Sequence, residues 1–143
     1  MLVLNVVWVF SPVCDAVLMC KRHKQPYLGL YNLLGGKVDP GEDRLAAAYR
    51  ELEEESSITQ QDLEQGLYHL MDFTYYSSEK YPDDVLVEVY VGRLGLPVDV
   101  AGDEKELVWM DVNEDFFDAA RFAGEGNIGH IYKQIMLRPE LIL

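Results

Sequence analysis

The sequence GKVDPGEDRLAAAYRELEEESSI, residues 36–58, decides how this chain folds. Regular structure is not expected before Glu42, because the preceding segment contains Gly35, Gly36, Pro40 and Gly41. From Asp43 to Glu55 the chain is rich in alanine and glutamate, which favour a helix. One face of that helix is apolar and suited to packing on a sheet; it carries Leu45, Ala48, Tyr49 and Leu52. The stretch therefore predicts a glycine-rich loop that leads into an amphipathic helix.

A second face of the predicted helix collects carboxylates. Glu51, Glu54 and Glu55 follow the spacing i, i+3, i+4, so they lie on one stripe at about 100° per residue. Three carboxylates held together repel one another at neutral pH, and a hard divalent cation such as Mg²⁺ would compensate them. Arg50 can hold Glu42 or a ligating carboxylate in place through its planar guanidinium. The alternative interpretation is an ordinary acidic face exposed to solvent.

The whole spacing resembles the signature of the Nudix hydrolases, Gly-x5-Glu-x7-Arg-Glu-U-x-Glu-Glu-x-Gly-U, where U is a bulky aliphatic residue. The positions that agree are Gly36, Glu42, Arg50, Glu51, Leu52, Glu54, Glu55 and Ile58. Ser57 departs from the pattern, because the signature has its last glycine there, at the end of the helix. A left-handed conformation at this position would cost serine about 1 kcal/mol. Since that glycine supplies no ligand, the departure concerns the loop after the helix rather than the metal site.

The resemblance covers nearly the whole chain and implies an α/β/α sandwich with a mixed β-sheet between helices. It also implies hydrolysis of a nucleoside diphosphate linked to a further group, with Mg²⁺ or Mn²⁺ as the cofactor. The implied metal ligands are Gly36, through its carbonyl, Glu51, Glu54 and Glu55. Arg50 and Glu42 would brace the helix and the loop, and Lys37 would meet phosphate. The general base stays open between Glu54 and Glu104, with Asp103 and Glu106 as neighbouring candidates for a carboxylate from the acidic loop.

Several residues outside the signature are candidates for substrate binding. Asn32 stands where similar enzymes of the MutT type read a purine base; its alternative role is to cap a turn. Lys21 or Arg22, in the basic cluster of residues 21–24, would contact phosphate, unless the cluster is simply a solvated strand end. The turn before the last predicted helix offers two further candidates for the base, Glu125 and Asn127.

These features favour a purine nucleoside triphosphate as the substrate, including an oxidised one such as 8-oxo-dGTP, cleaved to the monophosphate and pyrophosphate. Tyr75 and Tyr76 could stack on a base, or merely pack, and Tyr75 motivates the alternative of a dinucleoside polyphosphate. An ADP-ribose-type substrate is a further alternative. A Nudix-fold module that binds nucleotides without hydrolysing them is disfavoured, because the signature carboxylates are all present.

Composition narrows the possible domain organisation, partners and location of the protein. The 143 residues, 49% of them apolar, fit one domain spanning residues 1–143. A net charge of −13 disfavours binding to nucleic acid polymers or anionic membranes, so a small nucleotide is the expected partner of a monomer or homodimer. Cys14 and Cys20 lack metal-site spacing and are expected to be buried, reduced thiols. The apolar start lacks a basic segment like that of a signal peptide, which predicts a cytoplasmic protein.

The remaining pattern predicts strands and one or two further helices. Strands over residues 2–10 and 16–22 would form a hairpin, followed by a loop over 25–33. Further strands are predicted over residues 67–76, 85–94 and 107–112. Residues 113–115 would cap a helix that contains Phe116 and Phe117, and the apolar spacing after residue 127 predicts a final helix over 128–136.

Overall fold

Six strands and two helices form the fold in this computed structural model, which describes residues 1–79, 82–102 and 106–141. The strands are β1 (Leu2–Phe10), β2 (Ala16–Lys21), β3 (Tyr31–Lys37), β4 (Tyr68–Tyr75), β5 (Val85–Arg93) and β6 (Glu106–Asp111). The helices are α1 (Arg44–Ser56) and α2 (Asn127–Met136), with short 3-10 turns at Gln60–Asp62 and Pro139–Leu141. Of the described helices, none has the length and apolar character needed to cross a membrane.

The strands form one mixed sheet in the order β4-β5-β1-β3-β2-β6. β1 pairs in parallel with β5 over its full length, and the other pairs are antiparallel. The apolar run of β1 explains its central place, since a strand covered on both faces needs apolar side chains in both directions. From Val7 to Phe10 every side chain of β1 is buried.

The two helices cover opposite faces of the sheet. α1 buries Ala48 and Leu52 in a cluster with Val7 and Val9 of β1. On the other face, the cluster that contains Trp8 and Phe10 includes three side chains of α2, namely Ile128, Ile131 and Ile135. The predicted α/β/α sandwich with a mixed sheet is thus confirmed. Within the predicted apolar face of α1, Leu45 differs, because this residue is 42% exposed.

The predicted hairpin of the first two strands is wrong over most of its length. β1 and β2 pair only at Phe10 and Val17, beyond which β3 lies between them. β3 also begins and ends where the sequence predicted loop: it starts at Tyr31 and runs through Gly35 and Gly36. Glycines stand in this strand because it passes very close to its neighbours, which leaves little room for a side chain. A Cβ atom added to Gly35 would lie 2.0 Å from the carbonyl oxygen of Asn5.

The predicted helix around Phe116 and Phe117 is also wrong, because this segment forms a series of turns. Its aspartates hydrogen-bond the backbone locally: Asp115 accepts from the amide of Phe117, and Asp118 accepts from the amide of Ala120. Such contacts compete with helical hydrogen bonds. Phe116 nevertheless reaches the core, where its ring packs edge-on against Trp8 at a centroid distance of 5.5 Å.

Candidate active site

The acidic helix α1 is fixed at both ends by its own sequence. Asp43 caps the start, where its carboxylate accepts a hydrogen bond from the amide of Ala46 at 2.9 Å. Ser57 ends the helix in a left-handed conformation, with φ 69°, as the departure from the glycine pattern predicted. The Ser57 amide donates to the carbonyl of Glu53, and its hydroxyl donates to the carbonyl of Ala101 at 2.6 Å. The loop after residue 97 is therefore held against the end of α1.

The carboxylates of α1 meet the glycines at the end of β3. A Cβ atom added to Gly36 would fall 2.4 to 2.6 Å from the carboxylate atoms of Glu51, so any side chain there would displace this carboxylate. The amide of Gly35 lies 3.4 Å from Glu55 Oε2. Gly36 is held in turn by Asn5, whose Oδ1 accepts from the Gly36 amide at 3.0 Å. Gly36, Glu51 and Glu55 are thus brought together by the strand and the helix.

Arg50 ties the remaining acidic side chains together. Its guanidinium donates two hydrogen bonds to Glu42, at 2.7 and 2.9 Å. The same group donates to Glu51 at 3.0 Å and to Glu54 at 3.3 Å. It also donates to the carbonyl of Lys37 at 3.2 Å. Arg50 therefore holds the loop before α1 against the carboxylates of the helix.

The pKa values of two of these carboxylates are shifted in opposite directions. The hydrogen bonds from Arg50 lower the pKa of Glu42 to about 2, with help from the Asp39 amide. Burial raises the pKa of Glu51, although Arg50 works in the other direction. A half-buried carboxylate that is costly to ionise gains from a nearby cation. The atoms here that could ligate a metal are all oxygens, which are the ligands that suit Mg²⁺ or Mn²⁺. The residues present therefore fit a divalent metal ion.

A family model described as the NUDIX domain matches residues 3–127. The chain belongs to the Nudix family. It is accordingly a hydrolase of phosphoric anhydride bonds, from a family whose members generally use divalent metals. α1 is its Nudix helix, and the arrangement of Gly36, Glu42, Arg50 and the glutamates on α1 is the structural form of the Nudix signature.

Solved structures share the fold at low sequence identity. The Ap4A hydrolase of C. elegans, in a binary complex, superposes with a TM-score of 0.74 at 21% identity, covering 96% of both chains. The dihydroneopterin triphosphate pyrophosphohydrolase of E. coli gives 0.70 at 22%, with 92% of each chain covered. The Nudix domain of Shewanella oneidensis NrtR, complexed with ADP ribose, gives 0.72 at 16%, covering 96% of this chain and 88% of that one. No curated protein sequence matches the chain significantly.

A pocket of about 270 Å³ opens beside the Nudix helix, between β3, β4 and α2. It contains several predicted substrate-binding residues, namely Arg22, Asn32 and Asn127, as well as Tyr75, Gly36 and Glu55. Asn32 lies in β3 rather than at a turn, and its Oδ1 accepts from the amide of Leu33. Asn127 is the first residue of α2, and its side-chain nitrogen Nδ2 donates to the hydroxyl of Tyr75 at 2.7 Å.

Other predicted residues lie away from this pocket. Lys21 ends β2 and is not part of the lining, whereas Arg22 is, and donates to the carbonyl of Pro26. Tyr76 is 75% exposed. Lys37 is exposed at the end of β3, beside Arg50.

Two of the four remaining acidic candidates fall within the described residues. Glu125 accepts a hydrogen bond from the hydroxyl of Tyr27 at 2.7 Å, which joins the loop before β3 to the turn before α2. Glu106 begins β6 and pairs with His23 at 3.6 Å. Asp103 and Glu104 lie outside the described residues.

Asn5 also belongs to the site, although the sequence pattern does not point to it. It is buried, lines the pocket and fixes Gly36, and its amide nitrogen has no hydrogen-bond partner among the described residues. The one indication in the sequence is that Asn5 carries a polar side chain within an otherwise apolar strand. Such a residue needs a polar partner in the folded state, but its sequence position does not identify which one.

Proposed function

We propose that this Nudix hydrolase cleaves a purine nucleoside triphosphate, including an oxidised one such as 8-oxo-dGTP, to the monophosphate and pyrophosphate with Mg²⁺. The observation that carries the proposal is the pair of asparagines in the pocket beside the Nudix helix. A nucleotide whose base enters this pocket can extend its phosphates toward Gly36 and the carboxylates of α1. A net charge of −13 makes metal-compensated phosphates the preferred ligand over a nucleic acid polymer.

The two amides offer opposite hydrogen-bonding groups. Asn32 uses Oδ1 for the Leu33 amide, which leaves its NH₂ group to donate to a base. Asn127 uses its NH₂ group for Tyr75, which leaves its Oδ1 to accept from a base. The edge of guanine presents both acceptors and donors, and oxidation at C8 converts N7 from an acceptor into an N–H donor. A donor paired with an acceptor therefore suits this class of base.

We assign the metal to Gly36, Glu51, Glu54 and Glu55, whose oxygens can hold Mg²⁺. When bound, the ion supplies charge compensation for the diphosphate and activation of water. Arg50 keeps Glu51 and Glu54 in place and neutralises part of their charge. Lys37 and Arg22, or Lys21, are the cations available to the phosphates. Glu54 or Glu104 takes the proton from water.

A dinucleoside polyphosphate is the second candidate substrate. Tyr75 supports it, since its ring lines the pocket and is held by Asn127, and base stacking on an aromatic ring contributes about 1–3 kcal/mol. The likeness to the C. elegans Ap4A hydrolase agrees with this alternative at the level of the fold.

The first test is product release from a substrate panel, with Mg²⁺ and with chelator. The panel contains 8-oxo-dGTP, the ordinary dNTPs, diadenosine polyphosphates and ADP-ribose. We expect Mg²⁺-dependent pyrophosphate release from a purine triphosphate. Preferential turnover of a dinucleotide or of ADP-ribose would overturn the triphosphate assignment. Nucleotide binding without turnover of any substrate would identify a binding module instead.

Variants then test the residue assignments. Glu54→Gln should abolish most turnover, and Glu104→Gln should do so only if Glu104 is the base. Asn127→Ala and Asn32→Ala should lower kcat/KM for purine over pyrimidine triphosphates by about tenfold each, as for the loss of one hydrogen bond to the base. Asn113→Ala is the matched control, because Asn113 is exposed and outside the pocket lining. Full activity of Glu54→Gln, or unchanged selectivity in both pocket variants, would contradict the assignments.

A further inference from the structure

A bulge in β4 brings two polar side chains to the same face of the sheet. His69 and Asp72 are three residues apart, so in a regular strand they would point to opposite faces. The pairing of β4 with β5 shifts between His69 and Met71, and this extra residue places His69 opposite Tyr90 and Asp72 opposite Glu88. Both side chains then lie on the face that carries α1. Bulges of this kind often redirect side chains at functional sites.

Glu88 completes a cluster with these two residues. One ligand atom from each of His69, Asp72 and Glu88 lies within 4.8 Å of the other two. His69 Nε2 is 2.5 Å from Asp72 Oδ1, and the His69 ring is oriented by stacking on Tyr90 at a centroid distance of 4.9 Å. His69 and Asp72 are 44% and 42% exposed, so solvent reaches the cluster.

The Glu88 carboxylate is unusual because it is buried and only half satisfied. Its side chain is 4% exposed. Oε2 accepts from Arg44 at 3.1 Å, while Oε1 has no hydrogen-bond partner among the described residues. Directly opposite lies a second carboxylate, Asp72, and like charges facing each other across two strands are destabilising. A buried carboxylate oxygen without a hydrogen-bond partner, next to a second carboxylate and an imidazole, is costly unless a hydrogen-bond donor or a cation satisfies it.

We propose that His69, Asp72 and Glu88 form a second metal site, which binds a divalent transition-metal cation such as Zn²⁺. The imidazole nitrogen selects this class of ion over Mg²⁺, which prefers a shell made only of oxygens. The cation joins Asp72 to Glu88 across the strands and satisfies Glu88 Oε1. Arg44 remains on the other oxygen of Glu88.

This site is separate from the glutamates of the Nudix signature. The strand register aligns Asp72, Glu88, Asn5 and Gly36 in one row across β4, β5, β1 and β3. Three steps between neighbouring strands, at about 4.8 Å each, put Asp72 roughly 14 Å from Gly36. Asn5 lies between the two ends of the row and holds the Gly36 amide. The proposal does not depend on the substrate or on catalysis at the Nudix helix.

Zinc titration of the metal-stripped protein tests the proposal, with excess Mg²⁺ present to occupy the all-oxygen site. We expect one calorimetric binding event with wild type. His69→Gln and Asp72→Asn should each weaken it by at least tenfold. His23→Gln is the matched control, because His23 pairs with the single carboxylate of Glu106 at the surface and should leave the affinity unchanged.

Cobalt substitution gives a second readout. Co²⁺ bound through an imidazole nitrogen should give a visible absorption band that is lost in His69→Gln and kept in His23→Gln. Circular dichroism checks that the variants fold, which their solvent-exposed positions favour. Absence of zinc binding by wild type under excess Mg²⁺, or equal zinc affinity in wild type and His69→Gln, would reduce the cluster to a histidine–aspartate hydrogen bond and overturn the proposal.

Discussion

At the scale of single residues, the site depends on the shape of the Arg50 guanidinium as much as on its charge. Its planar fork contacts both oxygens of Glu42 while its remaining nitrogen reaches Glu51 and Glu54. A lysine in its place carries the same charge on a single point and cannot make this set of contacts. The position of Glu51 opposite Gly36 therefore depends on the geometry of arginine.

Arg50→Lys should lower kcat/KM by about 10- to 100-fold, the usual effect of losing a residue that orients metal ligands. Steady-state kinetics across a range of Mg²⁺ concentrations would measure it, and the Mg²⁺ requirement should rise. Arg138→Lys is a suitable control, because Arg138 contacts Glu140 and the ring of Tyr68 at the surface. Equal losses in both variants would show that the effect is not specific to the site.

Glu42 gives a pH-dependent prediction at the same scale. Its pKa falls from an ordinary 4.5 to about 2 in the folded protein, chiefly because Arg50 donates to its ionised form. The stabilisation is therefore fully present above about pH 4.5 and is lost as the pH falls toward 2. Glu42→Gln should be less stable than wild type at pH 6, and the gap should close over that window. Urea unfolding of the metal-free proteins would measure it; a gap independent of pH would argue against the ion pair.

At the scale of the element, the end of the Nudix helix combines a strained residue with a compensating hydrogen bond. Ser57 occupies the left-handed region that favours glycine, and its hydroxyl holds the carbonyl of Ala101. Glycine would remove the strain and also the hydrogen bond, whereas alanine would keep the strain and lose the bond. This hydrogen bond, together with the one from the Ala101 amide to the Ser56 carbonyl, holds the loop toward residue 102.

Ser57→Ala should therefore cost about 1 kcal/mol in the free energy of unfolding, the typical net value of one hydrogen bond. Ser57→Gly should change it by less than about 0.5 kcal/mol, since relief of backbone strain offsets the lost bond. Denaturant unfolding of the three proteins would test both values. If alanine proved as stable as serine, the hydroxyl would have no structural role.

The elements also show which features the sequence could predict. The helix over Arg44–Ser56, the strands after it and α2 follow from local periodicity and capping, and their predicted bounds agree within one or two residues. The insertion of β3 between β1 and β2 could not be predicted, because strand order depends on long-range pairing. Gly35 and Gly36 misled the interpretation for the same reason: their close approach to Asn5 and Glu51 is a tertiary feature. Likewise, the bulge that aligns His69 with Asp72 arises only from pairing with β5.

At the scale of the whole molecule, we expect the charge of −13 to act on stability together with the proposed metal sites. Carboxylates gathered on the α1 face repel one another, and general salt screening relieves part of this repulsion. A bound divalent ion acts differently, because it stabilises only the folded state and does so in proportion to its occupancy. The two contributions can be separated experimentally.

MgCl₂ should raise the unfolding temperature of the chelator-treated protein more than NaCl at matched ionic strength. At a hundredfold excess over Kd the specific contribution is about 2.7 kcal/mol. The extra stabilisation should disappear in Glu51→Gln, whose side chain lies against Gly36, and persist in Glu114→Gln, a surface glutamate paired with Arg121. Equal effects of the two salts on wild type would mean that Mg²⁺ acts only by screening, and the metal assignment on the Nudix helix would then be wrong. Because each variant removes one negative charge, a difference between them reports the position of that charge rather than the net charge.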